Sequence, residues 1–126
     1  MDADETRALI ARYDAAWNDQ DLDAIHAMHA PDVVFHNHTA GEAVEGADAV
    51  RGHIEGIFES WPDLRFSGRR QYVHPDFCAS EWTANATAGD GRRLEWDGVD
   101  LFPIVDGKIA RKDIYSTSGA PRVLTD

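Results

Sequence analysis

The chain has 126 residues, with 23 acidic and 12 basic side chains and a formal net charge of −11. That length suits one domain, residues 1–126, with a real core; so acidic a chain, whose Arg69-Arg70 and Arg92-Arg93 doublets stand isolated, argues against nucleic acid and anionic membrane as partners. No apolar run reaches the length of a membrane span, no hydrophobic signal region opens the sequence, and Cys78 is alone, so a cytoplasmic protein without a disulfide framework or cysteine metal cluster is expected.

Residues 4–18 carry Leu9, Ile10, Tyr13, Ala16 and Trp17 on one stripe, which predicts a helix, with Asp2 and Glu5 placed for a capping box. After the Asn18-Asp19-Gln20 turn, Asp21 caps a second helix that turns Leu22, Ile25 and Met28 inward and stops before Pro31. Residues 33–39 read as a strand and 41–46 as a loop. A third helix over 47–60 places Val50, Ile54, Ile57, Phe58 and Trp61 on one face, and Pro62 stops it. Four β segments follow: 64–73, 77–87, 92–105 and 108–116, with turns at His74-Pro75-Asp76, Gly89-Asp90-Gly91 and Asp106-Gly107. The tail from Gly119 is expected to be poorly ordered. Helices first and a meander afterwards predict an α+β domain, a curved sheet wrapped around three helices with a pocket between the layers.

Asp106-Gly107 is a strong two-residue hairpin signal, because both turn residues tolerate positive φ. The implied register sets Val105 opposite Lys108, Ile104 opposite Ile109 and Asp100 opposite Asp113. Opposed Cβ atoms lie roughly 5 Å apart, so two carboxylates there would share a proton and one pKa would rise. Two alternatives compete: both acids face water, or Arg111 neutralises them. Pro103 bears on the choice, because it cannot donate to the ladder and a bulge beside it would shift the register.

Strand alternation groups Trp96, Asp100 and Phe102 with Asp113 and Tyr115 on one face; Phe35, Trp82 and Asn37 join from neighbouring strands and Tyr13 from the first helix. This set is either an aromatic pocket with a few convergent polar groups or simply core. In the pocket reading Tyr13 donates to an enolate oxygen and Asn37 orients a carbonyl or water; in the other, Tyr13 reaches water and Asn37 satisfies backbone groups. His36 and His38 fall on the opposite face with His53 nearby, and no third ligand is fixed by spacing, so no metal is expected. Were Asn37 to point outward, the two histidines would face the pocket as acid–base candidates. No phosphate loop, nucleophile elbow or dinucleotide fingerprint is present.

The segments Tyr13-Asp14-Ala15-Ala16-Trp17-Asn18 to Asp21-Leu22-Asp23, Ala30-Pro31-Asp32-Val33-Val34-Phe35, Gly46-Ala47-Asp48-Ala49-Val50, and Gly98-Val99-Asp100-Leu101-Phe102 to Asp106-Gly107-Lys108-Ile109 resemble the nuclear-transport-factor-2-like superfamily, in particular its SnoaL-like branch. The resemblance implies a cone-shaped fold. Ketosteroid isomerases of this superfamily use a tyrosine and a protonated aspartate at positions resembling Tyr13 and Asp100, but Asn37 stands where their base would be. Limonene epoxide hydrolases resemble the chain at Asn37 and at Lys112-Asp113-Ile114-Tyr115, while Trp82 and Ala84 replace their other polar residues. SnoaL-like polyketide cyclases, with a single acid–base aspartate that Asp113 or Asp100 would match, depart least.

The reading that follows is cofactor-free acid–base catalysis, cyclisation or isomerisation, on a small hydrophobic carbonyl compound. Asp113 would move the proton, Asp100 would be its partner or the oxyanion donor, and Tyr13 and Asn37 would orient; Phe35, Trp82, Trp96, Phe102 and Tyr115 would hold the ligand. The alternatives are a non-catalytic small-molecule-binding module and a dimerisation scaffold. A homodimer is expected through an outer sheet face bearing Val99, Leu101 and Ile114.

Overall fold

The computed structural model describes residues 1–124. Helix α1 (Ala3–Asn18) starts at Asp2, whose carboxylate accepts from the Glu5 N–H while the Glu5 side chain accepts from the Asp2 N–H. That reciprocal box satisfies two donors the first turn would otherwise leave open. Its Leu9, Ile10, Tyr13, Ala16 and Trp17 stripe is buried, as the periodicity predicts. The short α2 (Leu22–Met28) is capped by Asp21. Strand β1 (His29–Asn37) follows without a break, then β2 (Glu42–Glu45) and α3 (Ala47–Ser60), which buries Val50, Ile54 and Phe58. Strands β3 (Arg65–His74), β4 (Phe77–Thr87), β5 (Arg93–Val105), β6 (Lys108–Ser116) and β7 (Arg122–Val123) complete the chain.

The strands pair in the order β2-β1-β6-β5-β4-β3. Among the described residues only β1–β6 is parallel; β7 pairs with the start of β5, beyond the end of β6. Inward side chains of the sheet (Val33, Phe35, Cys78, Trp82, Ala84, Phe102 and Ile104) pack with α1 and α3 into one core. No helix among the described residues is long and apolar enough to cross a membrane.

Four local expectations change. The strand expected from residue 33 begins at His29, with an irregular register between His29 and Val34 around Pro31, which has no N–H to give the ladder. It ends at Asn37 because the Asn37 side chain accepts from the Ala40 N–H and closes a turn. Residues 42–45, read as loop, pair antiparallel with β1. The tail carries β7, held where Arg122 pairs with Glu95 and Asp97.

The largest change lies between β5 and β6. Val105 faces Lys108 and Ile104 faces Ile109, as the turn requires, but Leu101 then faces Asp113 and Asp100 faces Ile114. One extra β6 residue is accommodated between those positions. The bulge falls opposite Pro103, where the ladder has no donor to lose. Because side chains alternate, that single residue exchanges the faces of everything after it on β6. Lys112 and Ile114 point into the cone; Asp113 and Tyr115 point out. The outer apolar pattern thus keeps the partly exposed Val99 and Leu101 and loses Ile114.

Candidate functional site

Between α1, α3 and the inner sheet face lies a cavity of about 680 Å³. Helix α3 opens it through Gly52 and Gly56, one turn apart, where an added Cβ would meet nothing within contact distance. Aromatic walls come from Trp61 on the turn after α3, Phe66 on β3, Trp82 on β4 and Trp96 on β5. The six-membered ring of Trp82 abuts Gly98; a Cβ there would overlap it, so the glycine sets where this wall stands. Asn37, His53 and Ser116 add polar groups that remain partly exposed.

Asp100 and Lys112 are the buried polar residues of this lining, 6% and 5% exposed. Alternation along β5 turns Asp100 inward, and the β6 bulge brings Lys112 beside it, Nζ 3.9 Å from Asp100 Oδ2. The ammonium position lies 3.7 Å from the Trp17 ring centre and 5.0 Å from that of Tyr13, a cation–π setting. Asp100 Oδ1 and Trp82 Nε1 are buried without hydrogen-bond partners. Burial pushes the Asp100 carboxyl above the ordinary range, with Lys112 and the nearby Trp82 N–H, which is not within hydrogen-bond geometry, opposing; burial pushes Lys112 down, with Asp100 and Asp14 opposing. Both shifts run toward the uncharged acid and the uncharged amine, since desolvation penalises each charge. A smaller cavity of about 40 Å³ joins the same two residues to Ser80 and to Asp14 of α1, whose pKa burial raises to about 6.

The residues proposed from the sequence divide. Phe35, Asn37, Trp82, Trp96 and Asp100 line the cavity. Phe102 is fully buried and packs edge-on against Tyr13, with ring centres 5.5 Å apart. Tyr13 is itself sealed in the core, its hydroxyl 2.9 Å from His29 Nε2, so the oxygen expected to meet a ligand is already engaged. Burial holds the His29 pKa down at about 3, which keeps this inner partner neutral.

Asp113 is not paired with Asp100. On the outer face it accepts from Arg111 at 2.9 and 3.1 Å and lies 2.8 Å from His38 Nε2. The hydrogen bonds from Arg111 hold its carboxyl below the usual range, the opposite of the elevation a shared proton would give. Tyr115, expected as a pocket wall, is 46% exposed and stacks on His38, which stacks in turn on His36. Ligand atoms of His36, His38 and Asp113 fall within 4.8 Å of one another. However, the imidazoles lie face to face, their planes within 19°, and Arg111 takes both Asp113 oxygens, a poor arrangement for a shared ion. His53 does not join them; it packs on Phe35 at the cavity.

Lys112, Asp14, His53 and Trp61 were not expected at the cavity from the sequence, which set Trp61 on the core face of the third helix and His53 beside His36 and His38. Pro103 was the available signal for Lys112, because a bulge beside it exchanges the Lys112 and Asp113 faces. The Gly52/Gly56 spacing was the signal for the open side of α3.

The SnoaL-like domain model matches residues 10–112. The chain belongs to the SnoaL-like domain family. Among solved structures, AclR from Streptomyces galilaeus, named as a candidate hydroxylase, is 26% identical and superposes with a TM-score of 0.77 over 90% of this chain and 79% of that one. A candidate SnoaL-like polyketide cyclase from Jannaschia sp. CCS1 is 19% identical, with a TM-score of 0.85 over 94% and 89% of the two chains. IdmH, a candidate polyketide cyclase from Streptomyces antibioticus, is 23% identical, with a TM-score of 0.77 over 90% and 92%. At these identities the last two speak for the fold alone, which is the curved α+β cone expected from the resemblance. No curated protein matches the chain.

Proposed function

We propose that this SnoaL-like protein carries out cofactor-free acid–base chemistry, cyclisation or isomerisation, on a flat hydrophobic carbonyl compound held in the large cavity. The observation that carries the reading is Asp100: a buried carboxyl in an aromatic cavity, one oxygen without a partner, its pKa raised by burial. A carboxyl whose proton is held more firmly by burial can both take and return it, the requirement for moving hydrogen at the carbon beside a carbonyl. Asp100 therefore replaces Asp113 as the proton carrier. The ligand carbonyl oxygen lies against Lys112 Nζ, whose N–H groups are free to meet negative charge developing there. Trp82, Trp96 and Phe35 hold the ring system, and Asn37 contacts a second polar group of the ligand at the edge of the cavity.

Deuterium exchange into β-tetralone, followed by NMR in deuterium oxide, tests this reading. The protein accelerates exchange at the carbon beside the carbonyl, and Asp100→Asn removes the acceleration while β-tetralone still binds. Binding without any acceleration in the wild type makes the protein a small-molecule-binding module instead. A homodimer through the outer sheet face, around Val99 and Leu101, is a further part of this reading. Sedimentation giving only monomer at micromolar concentration removes that part.

A further inference from the structure

Two of the 12 basic residues are lysines, Lys108 and Lys112; the rest are arginines. Lys108 is exposed at the end of the hairpin, where its ammonium donates to the Ala27 carbonyl at 2.6 Å. Lys112 has the opposite surroundings. It is 5% exposed, aromatic rings enclose its tip, and among the described residues no hydrogen bond reaches Nζ. Arginine makes most of the surface ion pairs of this chain, whereas the buried position carries a lysine, the cation whose pKa shifts readily on burial. An amine stripped of water beside an acid and open to a ligand cavity is suited to a different task.

We propose that Lys112 is a nucleophile that forms an imine with the carbonyl group of the ligand in the cavity, with Asp100 as the acid that expels water. This inference rests on the acid–base reading and gives it a covalent step. Neutral Nζ attacks the carbonyl carbon; a C–N bond forms, the oxygen gains a proton and the nitrogen loses one, giving a carbinolamine. Asp100 in its acid form protonates the hydroxyl, the C–O bond breaks, and water leaves. The nitrogen lone pair closes the C=N bond, giving an iminium and the Asp100 carboxylate. That carboxylate then takes the proton from the adjacent carbon, giving an enamine with no oxidant or reductant consumed. The geometry suits both transfers: Asp100 Oδ2 is 3.9 Å from Nζ, and its other oxygen has no partner. Burial disfavours the charged form of each partner, which moves the pair toward the amine and the acid that these steps use.

Reductive trapping decides the point. The full-length protein is incubated near neutral pH with naphthaldehyde and sodium cyanoborohydride, digested, and mapped by mass spectrometry. Lys112 is expected to be modified about tenfold or more faster than Lys108, a factor of ten in free amine being gained for each pKa unit lost. Excess β-tetralone should protect Lys112 alone, and Asp100→Asn should slow its labelling about a hundredfold or more. Labelling of Lys112 no faster than of Lys108, or unaffected by β-tetralone, overturns the proposal. The wild-type comparison needs no variant, so a misfolded mutant does not obscure it. Asp100-dependent exchange without Lys112 labelling sinks the imine and leaves the acid–base reading standing. Selective Lys112 labelling without exchange sinks the acid–base reading and the enamine step with it, and leaves only the imine.

Discussion

Asp100 and Asp113 lie on adjacent strands, and their surroundings are opposite. Asp100 faces inward, where burial raises its pKa and one oxygen has no partner. Asp113 faces outward, where Arg111 holds both oxygens and lowers its pKa. The two faces of this ribbon differ in what surrounds a charge. Inside, desolvation dominates and each titratable group is driven toward neutrality; outside, hydrogen-bonded ion pairs dominate and each charge is kept. Lys112 and Arg111, neighbours in sequence, repeat the contrast: burial lowers the one and the Asp113 hydrogen bond raises the other. Chemistry that needs a proton to move belongs to the inner face.

The sharpest way to break this comparison is to neutralise each acid in turn. Asp100→Asn is expected to reduce protein-dependent deuterium exchange of β-tetralone by roughly 10²–10⁴-fold, the range for a positioned acid–base group. Asp113→Asn should leave the rate within about twofold. NMR exchange rates at equal protein concentration read both, and comparable losses would show that the two faces are not functionally distinct.

The inner face also predicts a pH dependence of stability. His29 is buried and neutral, with its pKa lowered from an ordinary 6.5 to about 3. Above the unfolded value both states are neutral there. As pH falls from about 6.5 toward 3 the unfolded chain takes up a proton that the folded one refuses, so stability is lost across that window, by as much as a few kcal/mol at about 1.4 per unit. Asp14 opposes this: raised to about 6, it binds a proton in the folded state before the unfolded one does, which favours folding between roughly pH 6 and 4. Asp100, also raised by burial, acts in the same direction as Asp14. Urea unfolding at about pH 8 and pH 5 should therefore show the wild type losing stability relative to His29→Gln on acidification; an equal change in both proteins would mean that another group carries the slope.

Much of this architecture is written locally. The α1 stripe, its Asp2–Glu5 box, the α3 face and the Asp106-Gly107 turn each depend on residues a few positions apart, and each forms as those residues dictate. The cavity walls Trp82 and Trp96 also follow from strand parity, because β4 and β5 alternate without interruption. What local pattern does not determine is a register after a bulge. Pro103 makes one tolerable, but whether β6 takes the extra residue depends on packing from both sides: Ile109 and Ile114 both enter the core, and only an added residue between them allows it. The same step brings in Lys112 and turns out Asp113 and Tyr115. Tyr13 was misjudged for a related reason, since its partner His29 was not read as part of a strand.

A smaller effect tests how the inner wall is set. Gly98→Ala places a methyl group against the Trp82 ring, which has to move into the cavity. Overpacking of this kind costs about 1–3 kcal/mol. Denaturant unfolding should show that loss, and tryptophan fluorescence should shift as the indole leaves its seat. Unaltered stability and fluorescence would mean that Trp82 is not positioned by this glycine.

The smallest effect belongs to the outer face. Asp113→Asn removes the ion pair with Arg111, whose side chain is 41% exposed while that of Asp113 is 16%. Water screens such a pair and its partner remains hydrated when left alone, so the expected cost is at most about 1 kcal/mol. The sign follows from the lowered pKa: the pair stabilises the fold above the ordinary carboxylate range and ceases to as pH falls through the depressed folded value. Wild type and variant should therefore differ slightly near neutral pH, converge in acid, and differ less in high salt. A cost of several kcal/mol that persists in salt would place Asp113 among buried, coupled groups, and the contrast between the two faces would fail at its outer member.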